Sequence, residues 1–313
     1  MERILLVACF VTAVGTAMRG LGGIAPLYLG TLLAGAAIAL AQVVTPAWVR
    51  ANATHGTGVL TGAFSFALVG GATVATFVAI PLQDAFGGWE GALAIWAIVG
   101  VIASAVWLPR ALKAHDHVKA PIGQPLWRNP MAWSIALLMG TQSMAFFSTI
   151  TWLPDILTDD GFSEGFAGTM SGITQLVQLV PAFAIPVLAA RRSSQIDLLA
   201  VIVGTALIGL LGIELLPDLS LLWMVFLGIG QGGALGLALM LPVLRGRNPA
   251  EVAGMAAMAM GVGYLIAAGG PALVGAVFDG TGTWTVPILV LVTMTVLQWP
   301  AALYSVRGSA SRY

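Results

Sequence analysis

The chain alternates between apolar runs of about twenty residues and short polar turns. Runs of that length suit an α-helix crossing hydrocarbon, whereas a barrel strand needs only about ten residues. In hydrocarbon every backbone N–H and C=O must be paired, and runs of this length pair them as helices, so the pattern predicts an all-α fold. It predicts ten spans, near residues 4–19, 25–49, 58–82, 90–109, 130–157, 165–190, 196–216, 220–244, 252–278 and 284–306.

The pattern also repeats, with an offset of about 195 residues. Pro46 falls on Pro242, the Arg50 turn on the turn with Arg245 and Arg247, Asp84 on Asp279 and Trp89 on Trp284. Parallel repeats of this kind form two helical bundles about a central site, which predicts a carrier. The expected division is a first bundle over 1–109, a linker over 110–129 and a six-helix bundle over 130–313. Only four spans precede the linker. The repeat therefore leads us to expect two further spans upstream, with Met1 at the head of the third helix of twelve.

Composition agrees: 58% of residues are hydrophobic and 8% charged, with a mean hydropathy of +0.95, far from the roughly one quarter charged of soluble domains. The thirteen Lys and Arg are balanced by thirteen Asp and Glu, but not in place. With the first span running outward, every Lys and Arg except Arg19 falls on one side, while Asp84, Asp155, Asp159, Asp160, Glu214 and Asp279 fall on the other. Basic residues are retained on the cytoplasmic side, which places both termini there.

Several motifs lose to simpler readings. Gly228-Ile229-Gly230-Gln231-Gly232-Gly233 fits the dinucleotide pattern but lies inside a span, with no preceding strand. Gly228, Gly232 and Gly236, like Gly58 with Gly62 and Gly168 with Gly172, recur every fourth residue, a spacing that lets a second helix approach closely. His55, His115 and His117 read as solvated loop residues, and Asn52-Ala53-Thr54 as a cytoplasmic turn. Cys9 is the only cysteine. Nothing predicts an enzyme, a cofactor, a metal site or a nucleic-acid partner.

The stretches Leu126-Trp127-Arg128-Asn129-Pro130, Gly140-Thr141-Gln142-Ser143, Trp152-Leu153-Pro154, Thr174-Gln175-Leu176-Val177, Gly230-Gln231-Gly232 and Gly263-Tyr264-Leu265 resemble the cyanate and nitroimidazole transporter branch of the major facilitator superfamily. The resemblance covers essentially the whole chain, from that family's third helix onward. Ala189-Ala190-Arg191-Arg192 is similar to the second-half cytoplasmic gate motif, which implies a gate role for Arg191 and Arg192. Gln42 stands where the family pattern leads us to expect Asn, and Met260 where it leads us to expect Gln. The resemblance implies a secondary active or facilitative carrier of a small polar or anionic solute in a bacterial inner membrane; the oligomeric state is left open, with a monomer expected.

Strongly polar side chains inside spans are costly unless they pair or face a cavity. Gln42, Gln142, Gln175, Gln178, Gln231, Gln298 and Tyr264 are the short list. Gln175 and Gln178 share a helix face, and Gln142 adjoins Ser143 and the aromatic Phe146. Solute contact is expected from Gln42, Gln142, Ser143, Phe146, Gln175, Gln178, Gln231 and Tyr264, with hydrogen bonding between helices as the competing role and the safer one for Gln298. Met255, Met258 and Met260 leave open an efflux carrier for larger apolar compounds. The other class is a membrane assembly subunit that transports nothing.

Overall fold

A computed structural model of the chain describes residues 1–53, 56–113 and 126–307. The three histidines and most of the expected linker lie outside the described residues. The helices are α1 (Glu2–Met18), α2 (Ile24–Asn52), α3 (Thr57–Phe86), α4 (Trp89–Ala94), α5 (Ala97–Lys113), α6 (Pro130–Asp159), α7 (Glu164–Ala190), α8 (Ile196–Leu215), α9 (Ser220–Arg245), α10 (Pro249–Ala268), α11 (Gly270–Thr281) and α12 (Thr285–Val306).

Among the described residues, nine helical segments are long and apolar enough to cross a bilayer, counting α4–α5 and α10–α11 as one each. The remaining expected span, the fifth, is α6, a 30-residue helix but a more polar one, carrying Ser134, Thr141, Gln142, Ser143, Ser148 and Thr149. Two expected spans are not single helices. The fourth breaks at Ile95-Trp96 and the ninth at Gly269, each by a residue or two inside an apolar run.

Local chemistry sets the helix starts. Asn129 accepts a hydrogen bond from the Met131 N–H (2.9 Å) with Pro130 in the first turn of α6. Asn248 does the same for the Glu251 N–H (2.9 Å), with Pro249 opening α10. In both, the side-chain oxygen satisfies a donor that the helix leaves orphaned, and proline occupies a position that needs no N–H.

The repeat is visible in the packing. Helix α1 packs on α2 and α5 as α8 packs on α9 and α12, and the contact of α2 with α10 is answered by that of α3 with α9. The turns match in detail. Gly87 ends α3 and Gly282 ends α11, both left-handed at φ 68°, just ahead of Trp89 and Trp284. A side chain at φ near +68° is strained, so glycine serves as the stop signal in both copies.

The basic ends of the helices gather at one pole. The Arg3 Nε donates to the Ala111 carbonyl (3.4 Å), joining α1 to α5. At the opposite pole Asp160, at the end of α6, has its carboxyl raised above the usual range by partial burial and by the neighbouring Glu214 and Asp159 charges. A raised carboxylate costs stability as pH climbs through its folded value and costs nothing when both states are protonated. Asp160→Asn should therefore raise the melting temperature in detergent at pH 7, with the gain vanishing below about pH 3.9. An equal gain at both pH values would remove the charge argument.

Helix α9 is the centre of the molecule. Its most apolar stretch is 78% buried, against 6% for that of α4–α5. The largest apolar core joins α6, α8, α9, α10 and α12 through Leu138, Leu199, Leu237, Val252 and Ala302. Met255, Met258 and Met260 are buried in that core, so they do not present the open methionine wall that a carrier of large apolar compounds would use.

Candidate functional site

Glycine spacing on α9 brings α7 close. A Cβ built on Gly228 would lie 2.8 Å from the Thr174 carbonyl oxygen, on Gly232 2.4 Å from that of Gln178, and on Gly236 3.0 Å from that of Ala182. Three successive turns of one helix thus rest on three carbonyls of the other. This is the close approach expected of the Gly-x-x-x-Gly spacing, and it removes any dinucleotide role for the motif. Gly58 and Gly62 of α3 meet the opposite side of α7, at the Pro186 and Phe183 carbonyls (2.8 and 2.5 Å for a built Cβ). The expectation for Gly168 fails. Its Cβ position faces open space, and only Gly172 has a neighbour, the Phe77 ring at 3.0 Å.

With α7 clamped this way, its amides are held against α6 and α9. Phe146, Thr149, Ile150 and Leu153 of α6, Ser171, Thr174, Gln175 and Gln178 of α7, and Gln231 of α9 line a narrow cavity of about 10 Å³, room for about one water. The Gln178 Nε2 donates to Gln231 Oε1 at 3.3 Å. Gln175 is only 7% exposed, and its amide makes no hydrogen bond among the described residues. That amide lines the cavity with neither donor nor acceptor engaged, and it is not among the fully buried unpaired atoms, which among the described residues are the Arg19 Nε, Thr61 Oγ1 and Ser148 Oγ.

The other expected site residues, Gln42, Gln142, Ser143 and Tyr264, do not line this cavity. Gln142 is buried and donates to the Ser143 hydroxyl (2.6 Å), with the Met139 sulfur at 3.3 Å, so its amide is engaged within α6. Tyr264 of α10 donates its O–H to Gln42 Oε1 of α2 at 3.1 Å, linking the first four spans to the last six. Its ring meets Phe147 edge-on at 6.5 Å, and Phe147 meets Phe146 at 5.3 Å. Gln298 is buried in α12, away from the cavity lining. Trp152 donates to the Pro271 carbonyl (2.8 Å) and packs on Gly275 and Trp284, tying α6 to α11 and α12.

At the basic pole, Arg191 and Arg192 line an open depression with Ser193, Ser194, Ile196 and Asp197, and Arg192 is ion-paired with Asp197. The residue that organises this pole is one that sequence reasoning missed. Gln195 is fully buried; its Nε2 donates to the Ala189 and Arg192 carbonyls (3.2 and 2.8 Å), and its Oε1 accepts from Arg245. Its backbone N–H reaches the Val306 carbonyl (2.9 Å), and the Arg245 Nε reaches that of Ser305 (2.6 Å). Four helices, α7, α8, α9 and α12, are tied through Gln195 and its partner Arg245. The only sequence signal was a Gln closing a polar turn. Gln195→Ala should destabilise the protein by about 1–3 kcal/mol in a detergent unfolding assay, because carbonyls and a guanidinium lose a buried partner. A change below about 0.5 kcal/mol would show the knot to be dispensable.

A discontinuous helical repeat, a mid-span cavity lined by amides and hydroxyls, and a basic pole together describe a known architecture. Residues 2–268 match the Major Facilitator Superfamily. The chain is 33% identical over 306 residues to the uncharacterized transporter YycB of Bacillus subtilis (strain 168), covering 96% of this chain and 76% of that one. It is 32% identical over 303 residues to the 2-nitroimidazole transporter of Escherichia coli (strain K12), covering 95% and 77%. The cyanate transport protein CynX of the same organism is 28% identical over 270 residues, covering 85% and 70%. Among solved structures, the transporter FucP in its outward conformation superposes with a TM-score of 0.71 at 14% identity, over 100% of this chain and 83% of that one. Sequence and fold thus agree on one conclusion: the chain is a multi-pass membrane protein belonging to the Major Facilitator Superfamily.

Proposed function

We propose that the chain carries a small polar or anionic solute by alternating access, with Gln175, Gln178, Gln231 and Phe146 as the binding surface and Gln142, Ser143, Gln42 and Tyr264 around it. The observation that carries this reading is the unpartnered amide of Gln175 on a cavity near the middle of its helix. An amide both donates and accepts, so it suits a solute that offers complementary groups in a dehydrated pocket. At 1.5 Å per residue, Gln175, Gln178 and Gln231 lie about 18–23 Å from the basic ends of α7 and α9, deep within a hydrocarbon layer about 30 Å thick.

The lining, three amides beside an aromatic ring, favours the lower end of the solute range, a small linear anion or a single heteroaromatic ring, which the gap admits only on widening. The names of the two Escherichia coli relatives, a 2-nitroimidazole transporter and a cyanate transport protein, point to the same range. The basic pole is assigned to the cytoplasm of a bacterial cell, with both termini inside and Arg191 and Arg192 at the cytoplasmic gate. Proteoliposomes containing the protein should take up radiolabelled 2-nitroimidazole or cyanate faster than protein-free vesicles, and unlabelled solute should compete. No uptake or efflux of either solute above that background would overturn the assignment.

A further inference from the structure

We propose that the hydrogen bond between Tyr264 and Gln42 is a latch that restrains the empty carrier and that bound solute releases, so the protein exchanges solutes faster than it cycles empty. This rests on the carrier reading above. The bond joins α10 to α2 across the two bundles at 3.1 Å. At 1.5 Å per residue both partners lie about 15–23 Å from the basic ends of their helices, near the depth of the amide cavity. The bond is partly buried, so breaking it carries a cost until another partner takes its place.

The two bundles also meet at a second place with different chemistry. Along α3 and α7, Gly58 and Gly62 rest on the Pro186 and Phe183 carbonyls, and Gly172 rests on the Phe77 ring. Contacts between small residues and backbone or ring can slide without orphaning a donor. The α2–α10 contact cannot part without doing so. Moving the bundles apart there leaves the Tyr264 O–H and the Gln42 amide unpaired, and empty reorientation slows on the order of ten- to a hundredfold.

A route connects the latch to the site. Tyr264 packs edge-on against Phe147, Phe147 against Phe146, and Phe146 forms a wall of the cavity with Gln175 and Gln178. A solute that wedges against Phe146 displaces Phe147 and, through it, the Tyr264 ring, which draws the hydroxyl away from Gln42. The bond is then already broken when the bundles move. Solute stabilises the moving state only through this difference in contacts, as any population shift requires.

Two measurements test the latch, and the first needs no transport. Cys9 is the only cysteine, so Cys9→Ala gives a clean background. Asp84→Cys and Asp279→Cys, exposed and repeat-related on the two bundles, then take nitroxide labels for pulsed distance measurement. Tyr264→Phe keeps the ring packing and removes only the hydroxyl. Without solute it should shift or broaden the distance distribution, as 2-nitroimidazole should in the parent, and Gln42→Leu should do the same. The double variant should go no further than either single one, because both remove the same bond. Distances unchanged by both substitutions overturn the latch, whether or not the protein transports the probe.

The second measurement uses vesicles preloaded with labelled 2-nitroimidazole. With unlabelled solute outside, efflux should exceed net efflux by tenfold or more in the parent, and Tyr264→Phe should bring net efflux up toward the exchange rate. Equal net and exchange rates in the parent overturn the proposal. Absence of any flux of the probe instead counts against the assigned solute, and the distance measurement still decides the latch.

Discussion

Gly232→Ala should remove most folded protein from detergent extracts, while Gly261→Ala should leave it unchanged. Both glycines lie inside apolar helices one residue type apart from normal helical sequence, and alanine is the better helix former by about 1 kcal/mol. Propensity alone thus favours both substitutions. Packing reverses the sign at one of them. The new methyl on Gly232 would sit 2.4 Å from the Gln178 carbonyl oxygen and 2.8 Å from its Cα, and these are backbone atoms that no rotamer change moves away. At Gly261 nothing lies within 4 Å. Relieving the clash requires α7 and α9 to separate along a seam that also includes Gly228 and Gly236, and α9 is the most buried span in the molecule. Overpacking of this kind costs roughly 1–3 kcal/mol or more, a large fraction of a marginal stability. Thermal unfolding monitored by size-exclusion chromatography of the two variants measures the contrast. Equal stability for both would show that the α7–α9 seam yields, and the rigid clamp behind the site would have to be given up.

The contrast between Gly232 and Gly168 also shows how far the sequence could be read. Both belong to Gly-x-x-x-Gly pairs in apolar helices, yet one meets a carbonyl and the other meets open space. Spacing says which face of a helix is smooth; it does not say what lies opposite. The same limit applies to the breaks at Ile95-Trp96 and Gly269, where one or two irregular residues leave the hydropathy of the run unchanged. What was legible came from signals that run through a whole segment, such as span length and the repeated turn ending at Gly87 and Gly282. For the candidate site, the chemistry was legible and the pairing was not. A glutamine in a span announces a polar need, but whether a neighbour meets it depends on helices far away in sequence. Gln142 is met by the next residue, Gln178 by Gln231 and Gln42 by Tyr264, whereas Gln175 is left open. Gln195 escaped notice because a polar residue in a turn looks solvated, and only the convergence of four helix ends buries it.

That difference in pairing gives the most decisive test of the site. Gln175→Leu should lower transport by about ten- to a hundredfold and at the same time leave the protein as stable as the parent, or more so. Leucine is close to glutamine in volume, and it replaces an amide that lines the cavity with no hydrogen-bond partner among the described residues. Removing an unsatisfied polar group from an apolar setting is neutral or stabilising, whereas removing one member of a bonded pair strands the other. Gln178→Leu makes the comparison, since it orphans the Gln231 carbonyl oxygen and should destabilise by about 1–3 kcal/mol while also lowering transport. The two roles in dispute thus give opposite signs at Gln175. If that amide serves the fold through contacts between helices, its loss lowers the melting temperature. If it is held open for solute, its loss costs only function, because the partner it lacks in the empty carrier is the one the solute brings. Melting temperature and initial uptake rate, measured on the same purified variant, separate the two. A Gln175→Leu protein that melts earlier and transports at the parent rate would transfer this amide from the site to the packing.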